Sequence, residues 1–402
     1  MTGSIRNIIK QCTPLLPLFL LIYTSDDTIM FGMFGDVRFY YAKLAVWFSV
    51  AMYFAAKGYF LRNKFTVSLF IVAILYFVNS IVSGFSIGFV YNLAIFLLAL
   101  VYVSNNSFET FREHFCRIVC FLALASSIVY VVNLIMPQVF APFPTLYNAA
   151  NLPYTTVYVS SLFHSLPLRN FGIFREPGMY MIYLNLALFF EWFSSQPNKF
   201  RVIVYVFTLL TTVSTGGIFI GALIICAGSI MRRNYSVIIM VLPVLFVGYY
   251  FLFQEDSVYY TLLLGKLEQG NGTTIARVSS VTVPLKIFME YPLGAGPGRF
   301  NDLFPIICNQ MYGEALDADL STNTLTKNLA VYGPLVFLLY FTYLVRFTKM
   351  SFQSGSYRLL FLFVLILAMS NEDIRSSILY FIILAYGASY NKNIQYNEYT
   401  IC

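Results

Sequence analysis

The sequence predicts an all-α polytopic membrane protein, with about twelve transmembrane helices and two long outer-face loops that contain short amphipathic helices. Three observations support this fold class. Of the 402 residues, 59% are hydrophobic and only 11% are charged, whereas a soluble domain carries roughly a quarter charged residues. Apolar runs recur along the whole chain, and basic residues lie in alternate gaps between them. We therefore treat residues 1–402 as a single integral membrane domain.

Twelve apolar runs are candidates for the spans, because a helix needs about 20 apolar residues to cross a bilayer. They are centred on 11–23, 39–56, 65–82, 85–103, 115–136, 178–193, 202–214, 217–231, 235–253, 325–345, 357–370 and 376–390. The first run follows Arg6 and Lys10, as in a signal peptide, but no clear small-residue cleavage site comes after it. We interpret it as a first span, with cleavage as the alternative.

The distribution of basic residues predicts the orientation of the chain. With the N-terminus inside, the inner segments contain 15 of the 25 Lys and Arg residues. The short outer turns contain only Arg38 and Arg375. This asymmetry is the positive-inside pattern. It predicts that both termini are cytoplasmic and that the net charge of +7 does not indicate nucleic acid as a partner.

The same orientation places two long loops, residues 137–177 and 254–324, on the outer face. Long loops are often functional, so we look for the site there. The outer segments are acidic overall, with 14 Asp and Glu against 8 Lys and Arg, so the loop arginines are not part of a generic basic surface. Guanidinium groups bind phosphate oxygens in a bidentate fork. The candidates for diphosphate binding are Arg169, Arg175, Arg277 and Arg299, and the alternative for each is a pairing with a loop acid or a lipid headgroup.

The first loop ends in the segment FREPG, which contains a candidate general base. Arg175 and Glu176 precede Pro177, a residue suited to the first position of a helix. Glu176 either deprotonates a sugar hydroxyl or stabilises the start of the helix through its dipole. We name Glu176, Arg175, Arg277 and His164 as candidate catalytic residues, with His164 as the second candidate base.

The second loop contains an amphipathic run followed by the turn YPLGAGPGRF. Apolar residues at helical spacing predict a helix over part of 274–290, although Pro284 makes an unbroken helix doubtful. Gly294, Gly296 and Gly298 allow backbone amides to approach an anion closely. The turn lacks the Gly-Lys-Ser/Thr ending of a P-loop. The expectation is a diphosphate-binding turn that presents Arg299, with a purely structural turn as the alternative.

The order of these features resembles bacterial polysaccharide-repeat polymerases of the Wzy type, within the O-antigen polymerase and ligase superfamily. Arg277, the turn YPLGAGPGRF and the helix start STNTLTKNLAVYGPL follow one another as in that family, and FREPG and STGG also resemble its segments. The similarity covers roughly residues 165–340 and rests on sparse residues. Ligases of the class usually carry a histidine before the helix-starting asparagine. Here Thr322 precedes Asn323, which favours a polymerase.

The resemblance implies an enzyme of the bacterial inner membrane that joins polyprenyl-diphosphate-linked oligosaccharide repeats at the outer face. The arginines would neutralise the leaving diphosphate, so a metal-independent glycosyltransferase without cofactor is expected. The implied partners are the lipid-linked oligosaccharide, membrane lipids, a chain-length regulator and a flippase. The sugar composition, the linkage and the distinction between O-antigen and capsule stay open.

Three alternatives remain at this point. A flippase for the same lipid-linked oligosaccharide fits the number of spans, but a carrier would place polar groups at the bilayer midplane in discontinuous helices. An O-antigen ligase fits the loops but lacks its usual histidine. A membrane acyltransferase would need a histidine in a span or inner loop, for which His114 is the only candidate.

Overall fold

The fold is helical almost throughout. The computed structural model describes residues 13–32, 37–58, 61, 63–147, 152–164, 166, 168–233 and 272–390. Its α-helices, in chain order, are α1 (Leu16–Tyr23), α2 (Ile29–Gly32), α3 (Val37–Ala56), α4 (Asn63–Ser83), α5 (Ile87–Asn105), α6 (Phe108–Ile135), α7 (Pro177–Trp192), α8 (Lys199–Thr211), α9 (Thr215–Met231), α10 (Gly272–Glu290), α11 (Pro297–Tyr312), α12 (Thr324–Ser351), α13 (Gly355–Asn371) and α14 (Ile378–Ser389). The predicted span at 235–253 and residues 254–271 of the second loop lie outside the described residues. The predicted helical class is confirmed.

Five of the described helices are long and apolar enough to cross a membrane. They contain the segments Arg38–Ala56, Phe65–Ser83, Ile87–Asn105, Phe108–Ile135 and Thr324–Ser351. Shorter apolar helices occupy Thr13–Tyr23, Thr215–Met231, Gly355–Asn371 and Ile378–Ser389, each at the position of a predicted span. These helices are consistent with a multi-pass membrane protein, while the count of twelve spans stays a prediction.

The chain forms two compact units, of which the first contains residues 1–50 and 110–278 and the second residues 51–109 and 279–402. The first unit is built around α7, in which every residue from Pro177 to Glu191 is buried. Helices α8 and α9 pack against it. Gly217 permits this packing, because a Cβ atom there would lie 2.6 Å from Cβ of Met181. Gly217, the last residue of STGG, therefore serves close helix contact.

The second unit is built around α14, in which every residue from Ile378 to Gly387 is buried. Helices α12, α5 and α4 pack against it. Such burial on all sides is typical of an apolar helix without a polar face. The side chain of Ser377 begins α14, since it accepts hydrogen bonds from the backbone N–H groups of Leu379 and Tyr380 and so satisfies donors that have no partner within the helix.

The first long loop contains a small antiparallel sheet in place of the predicted amphipathic helices. Its strands, β1 (Thr145–Tyr147), β2 (Pro153–Thr156) and β3 (Ser161–Phe163), pair in the order β1-β2-β3. Tyr154 lies opposite Phe163, and their stacked rings are 4.5 Å apart at the centroids. Phe171 packs edge-on against both rings. One buried aromatic face supports the sheet, which is how antiparallel strands commonly bury their side chains.

The second long loop contains α10, which continues through Pro284 without a break. A proline inside a helix deprives the carbonyl four residues earlier of its N–H donor, and here that carbonyl belongs to Ser280. The hydroxyl of Thr326 donates to the Ser280 carbonyl oxygen at 2.9 Å. The missing helical hydrogen bond is thus replaced from α12, which explains why the expected interruption is absent.

Candidate functional site

Glu176 lies directly before α7, in the N-cap position, with extended backbone angles of φ −145° and ψ 150°. Its side chain accepts no hydrogen bond from the first turn of the helix and is exposed. Of the two roles expected for Glu176, side-chain capping is therefore not seen. The carboxylate is accessible at the surface of the first unit.

Strand β2 places Tyr154 near enough to Glu176 for the charge of the carboxylate to affect the phenol. Burial of the ring and, second, the negative charge of Glu176 raise the pKa of Tyr154 to about 12. Like any tyrosine at neutral pH, the phenol is protonated and can act as a hydrogen-bond donor, and the raised pKa extends this state to more alkaline pH. The small sheet, which the sequence did not indicate, thus brings a second polar group to the candidate base.

Arg175 is half-buried beside Glu176, and its backbone is tied to the segment after α1. Its N–H donates to the carbonyl oxygen of Asp27 at 2.9 Å, and Thr28 forms a β-bridge with Phe174. The buried Asp27 carboxylate accepts a hydrogen bond from the hydroxyl of Tyr183 on α7 at 2.5 Å. These contacts hold FREPG at the start of α7.

Arg169 and His164 have partners of their own within the first unit. The Arg169 Nε donates at 3.2 Å to the carbonyl oxygen of Thr212, which follows the last turn of α8 and carries the negative end of its dipole. His164 follows strand β3 and is exposed, and its Nε2 shares a hydrogen bond of 2.8 Å with Thr155 Oγ1. The Nε group of Arg169 therefore stabilises the C-terminal end of α8.

The glycine-rich turn of the second unit binds to a break in α12. Gly333 has non-helical angles of φ 75° and ψ 177°, and Pro334 follows it. Such a break leaves carbonyl groups before it without helical donors. The N–H of Ala295 donates to the Ala330 carbonyl at 2.8 Å, and the N–H of Gly296 donates to the Val331 carbonyl at 2.9 Å. These two amides thus have a partner inside the protein.

Two of the three predicted glycines are required by this contact. Gly294 and Gly296 have φ values of +98° and +74°, in a region of backbone angles that residues other than glycine rarely adopt. A Cβ on Gly294 would lie 2.5 Å from Nδ2 of Asn79 and 2.7 Å from the backbone nitrogen of Gly333. Gly298 has no atom within 4 Å of its Cβ position. The turn's first two glycines are therefore structural in this packing, and Gly298 lies open at the start of α11.

Arg299 and Arg277 are the two exposed candidate arginines. The Arg299 guanidinium lies over the ring of Tyr291, 5.1 Å from its centroid, a cation–π contact that leaves its donors to other partners. Neither arginine forms an ion pair with a carboxylate of the described residues. Both side chains are thus available to an anionic ligand.

Asn323 is the N-cap of α12, and the residue before it, Thr322, is bonded to α10. The Oδ1 atom of Asn323 accepts hydrogen bonds of 3.0 Å from the backbone N–H groups of Leu325 and Thr326. The backbone N–H of Thr322 donates to Ser280 Oγ at 3.0 Å. Asn323 therefore has the structural role of an N-cap, which accounts for an asparagine at this position without any ligand.

A buried ionic network at the start of α12 was not predicted. Lys327 Nζ lies 2.9 Å from Asp373 Oδ2, and Arg375 Nε lies 2.9 Å from Asp373 Oδ1. Burial opposes the ionisation of Asp373, but the charges of Arg375 and Lys327 outweigh it and hold the pKa of Asp373 well below its usual range. In the sequence, such a network could have been inferred from the short turn between two apolar runs that contains both Asp373 and Arg375.

The candidate residues fall into both units. The first unit contains His164, Arg169, Arg175, Glu176 and Arg277, and the second contains Gly294, Gly296, Gly298, Arg299, Thr322 and Asn323. Across the described part of the chain, no group of three or more His, Cys, Asp or Glu side chains is placed to hold a metal ion. No protein family, no curated protein and no solved structure matches this chain.

Proposed function

We propose that the protein polymerises polyprenyl-diphosphate-linked oligosaccharide repeats at the outer face of the bacterial inner membrane, with both termini in the cytoplasm. The observation that carries the proposal is the exposed Glu176 carboxylate, which stands at the start of α7 and does not cap it. A glutamate whose backbone is held at a helix start, and whose carboxylate is not used in capping the helix, is suited to act as a general base. The resemblance of FREPG and of the turn YPLGAGPGRF to Wzy-type polymerases supports the same function.

The reaction transfers the growing glycan from its lipid diphosphate to an incoming lipid-linked repeat. A hydroxyl oxygen of the incoming repeat attacks the anomeric carbon of the growing chain, and the bond from that carbon to the diphosphate oxygen breaks. Glu176 accepts the proton of the hydroxyl, and the lipid diphosphate leaves with the electron pair.

Arginines stabilise the negative charge that develops on the leaving diphosphate. Arg299 and Arg277 suit this role because both are exposed and neither is neutralised by a carboxylate of the described residues. Arg175 is held beside the base through its backbone. Arg169 is the weakest candidate, since its Nε is bonded to the end of α8. A chain-length regulator and a flippase are the partners that we propose for this activity.

The test is a polymerisation assay on the purified protein in nanodiscs, with the polyprenyl-diphosphate repeat of its host and products separated by size. Wild type should produce a ladder of lipid-linked oligomers. Glu176→Gln should slow it by about 100-fold or more, as the loss of a general base does, and Arg299→Ala or Arg277→Ala by roughly tenfold or more.

Two control variants make the assay specific. Glu290→Gln removes an exposed carboxylate of α10 that pairs with Lys286, and Arg346→Ala removes an exposed arginine of α12; both should retain the ladder. Full activity of Glu176→Gln would exclude Glu176 as the base. A verified substrate that gives no ladder with wild type would contradict the polymerase itself.

A flippase is the second candidate, and one observation favours it. Helix α12 is discontinuous at Gly333 and contains the buried Lys327, as expected of carriers that bind ligands at broken helices. The carbonyls of Ala330 and Val331 are already bonded to backbone amides, which weakens this role. Transfer of the labelled lipid-linked repeat across a liposome bilayer, without a ladder, would establish the flippase. Transfer to a different acceptor would indicate the ligase.

A further inference from the structure

A polar cavity of about 210 Å³ lies where α6 and α8 begin and α7 ends, within the first unit. This is the opposite end of α7 from Glu176, so the cavity is separate from the candidate catalytic site. Its lining includes Arg112, Glu113, Glu191 and Arg201. A volume of this size is well above what a single water molecule needs and admits a small head group.

Both carboxylates of the cavity have internal hydrogen-bond partners on each of their oxygens. Arg201 donates to both oxygens of Glu113, at 2.9 and 3.2 Å, and to Oε2 of Glu191 at 3.2 Å. Arg117 donates to Oε1 of Glu113 at 2.6 Å. The N–H of Asn198 donates to the remaining oxygen of Glu191 at 2.7 Å. Every carboxylate oxygen of the lining therefore already accepts at least one hydrogen bond from within the protein.

Two further guanidinium groups at this end have no acidic partner. Arg112 lines the cavity and forms no hydrogen bond or ion pair with any described residue. Arg232 donates to the carbonyl oxygen of Ser194, another lining residue, at 2.8 Å. The lining itself has two arginines and two glutamates, and Arg117 and Arg232 beside it give this end of the unit an excess of positive charge. Its chemistry therefore favours an anion.

The surface beside the cavity is apolar. Helix α8 contributes Asn198 and Arg201 to the lining from its first turn, and its outer face exposes Phe200, Ile203 and Phe207. These side chains are spaced by three and four residues, so they form one stripe along the helix. The cavity thus opens where an apolar stripe meets a group of basic residues, as at the headgroup level of a bilayer.

We propose that this cavity binds the phosphate of an anionic phospholipid, with Arg112 as its main ligand and the stripe of α8 against the acyl chains. Phosphatidylglycerol and cardiolipin carry the required charge, and basic cavities between membrane helices bind such head groups. A zwitterionic lipid such as phosphatidylethanolamine fits less well, because its ammonium group would have to compete with the arginines that already pair with both carboxylates. A soluble phosphate would leave the stripe unused.

The test measures thermal unfolding and retained lipid in the full-length protein in detergent. Phosphatidylglycerol, phosphatidylethanolamine and inorganic phosphate are titrated separately, and bound lipid is counted by native mass spectrometry. We expect a saturable rise in Tm with phosphatidylglycerol and little change with the other two. Arg112→Gln should weaken the affinity for phosphatidylglycerol by about tenfold, the effect of losing one charge-assisted hydrogen bond.

Two further variants separate a specific site from general surface charge. Arg112→Lys keeps the charge without the bidentate fork and should bind at an intermediate affinity. Arg346→Gln removes an exposed arginine of the second unit and should bind like wild type. Equal losses for Arg112→Gln and Arg346→Gln would overturn the proposal. So would an equal rise in Tm with phosphatidylethanolamine, and an equal rise with inorganic phosphate would replace the lipid by a soluble anion.

Discussion

The hydroxyl of Thr326 on α12 supplies the hydrogen bond that Pro284 removes from the carbonyl of Ser280 on α10, at 2.9 Å. Thr326→Val keeps the shape of the side chain and leaves the carbonyl without this donor. We expect the free energy of unfolding to fall by about 1 to 2 kcal/mol. Denaturant unfolding of the purified protein measures the change.

Thr342→Val is the matched control on the same helix. The Thr342 hydroxyl is exposed and donates to the Leu338 carbonyl of its own helix, so its loss should change stability by less than about 0.5 kcal/mol. In a Pro284→Ala background, where the helix recovers its own donor, Thr326→Val should cost less than in wild type. An unchanged cost there would contradict the role given to Thr326.

The glycines of the turn should differ sharply in their tolerance of alanine. Gly294→Ala and Gly296→Ala each place a Cβ at positive φ, and for Gly296 that atom would lie 2.7 Å from Ser83 Cβ. We expect losses of about 1 to 3 kcal/mol for each. Gly298→Ala meets no neighbour and lies in the first turn of α11, so it should be neutral or stabilise by up to about 1 kcal/mol.

A thermal melt of the three alanine variants decides the point. Equal melting temperatures would mean that the turn does not pack against α12 as described. A stable Gly298→Ala protein with reduced polymerisation would instead indicate that the open start of α11 contacts the substrate.

Removing the charge of Asp373 should destabilise the second unit strongly. Asp373→Asn removes the carboxylate that pairs with both the buried Lys327 and Arg375, a change that typically costs about 3 to 5 kcal/mol. Adding Lys327→Met should recover part of the loss. Asp302→Asn, at an exposed position of α11, should have no effect, and an equal loss for both single variants would contradict a specific network.

The same network predicts a dependence of stability on pH. The pKa of Asp373 is lowered in the folded protein, so its contribution is complete above the unfolded pKa of about 3.9. It is lost as the pH falls through the folded value. The melting temperature of wild type should therefore decline below about pH 4 more steeply than that of Asp373→Asn. Parallel curves would contradict the lowered pKa.

Asn323 and Glu176 occupy equivalent N-cap positions and should respond differently to alanine. Asn323→Ala removes an acceptor for two backbone N–H groups and should cost about 1 kcal/mol. Glu176→Ala removes a side chain that accepts no such bond, so stability should be unchanged. A clear loss of stability for Glu176→Ala would restore the capping role that the sequence also allowed.

Local patterns were sufficient for much of the helical fold. Continuous apolar runs predicted α4, α5, α6 and α12 because a helix that is apolar on most sides is recognisable from composition alone. The start of α7 could also be predicted, since Pro177 suits the first position of a helix. The sheet over 145–163 was not predicted because its strands are three or four residues long, too short for an alternating pattern to be distinct.

The parts of the candidate site that escaped prediction depend on contacts between distant segments. The glycines of the turn were recognised, but the partner of their amides, the break at Gly333, lies in another helix. Lys327 and Asp373 are likewise joined only by the packing of α12 against its neighbours. Sequence spacing describes what a segment can do alone, and these contacts depend on where a second segment lies.

The break in α12 has a mechanical consequence. On either side of Gly333 the helix is held by its own hydrogen bonds, but across the break the carbonyls of Ala330 and Val331 are bonded to the turn through Ala295 and Gly296. A displacement of the turn must therefore move the piece of α12 that precedes Gly333 with it, or break these two hydrogen bonds. We therefore expect the turn and the piece of α12 before Gly333, which contains Lys327, to move together if either of them moves.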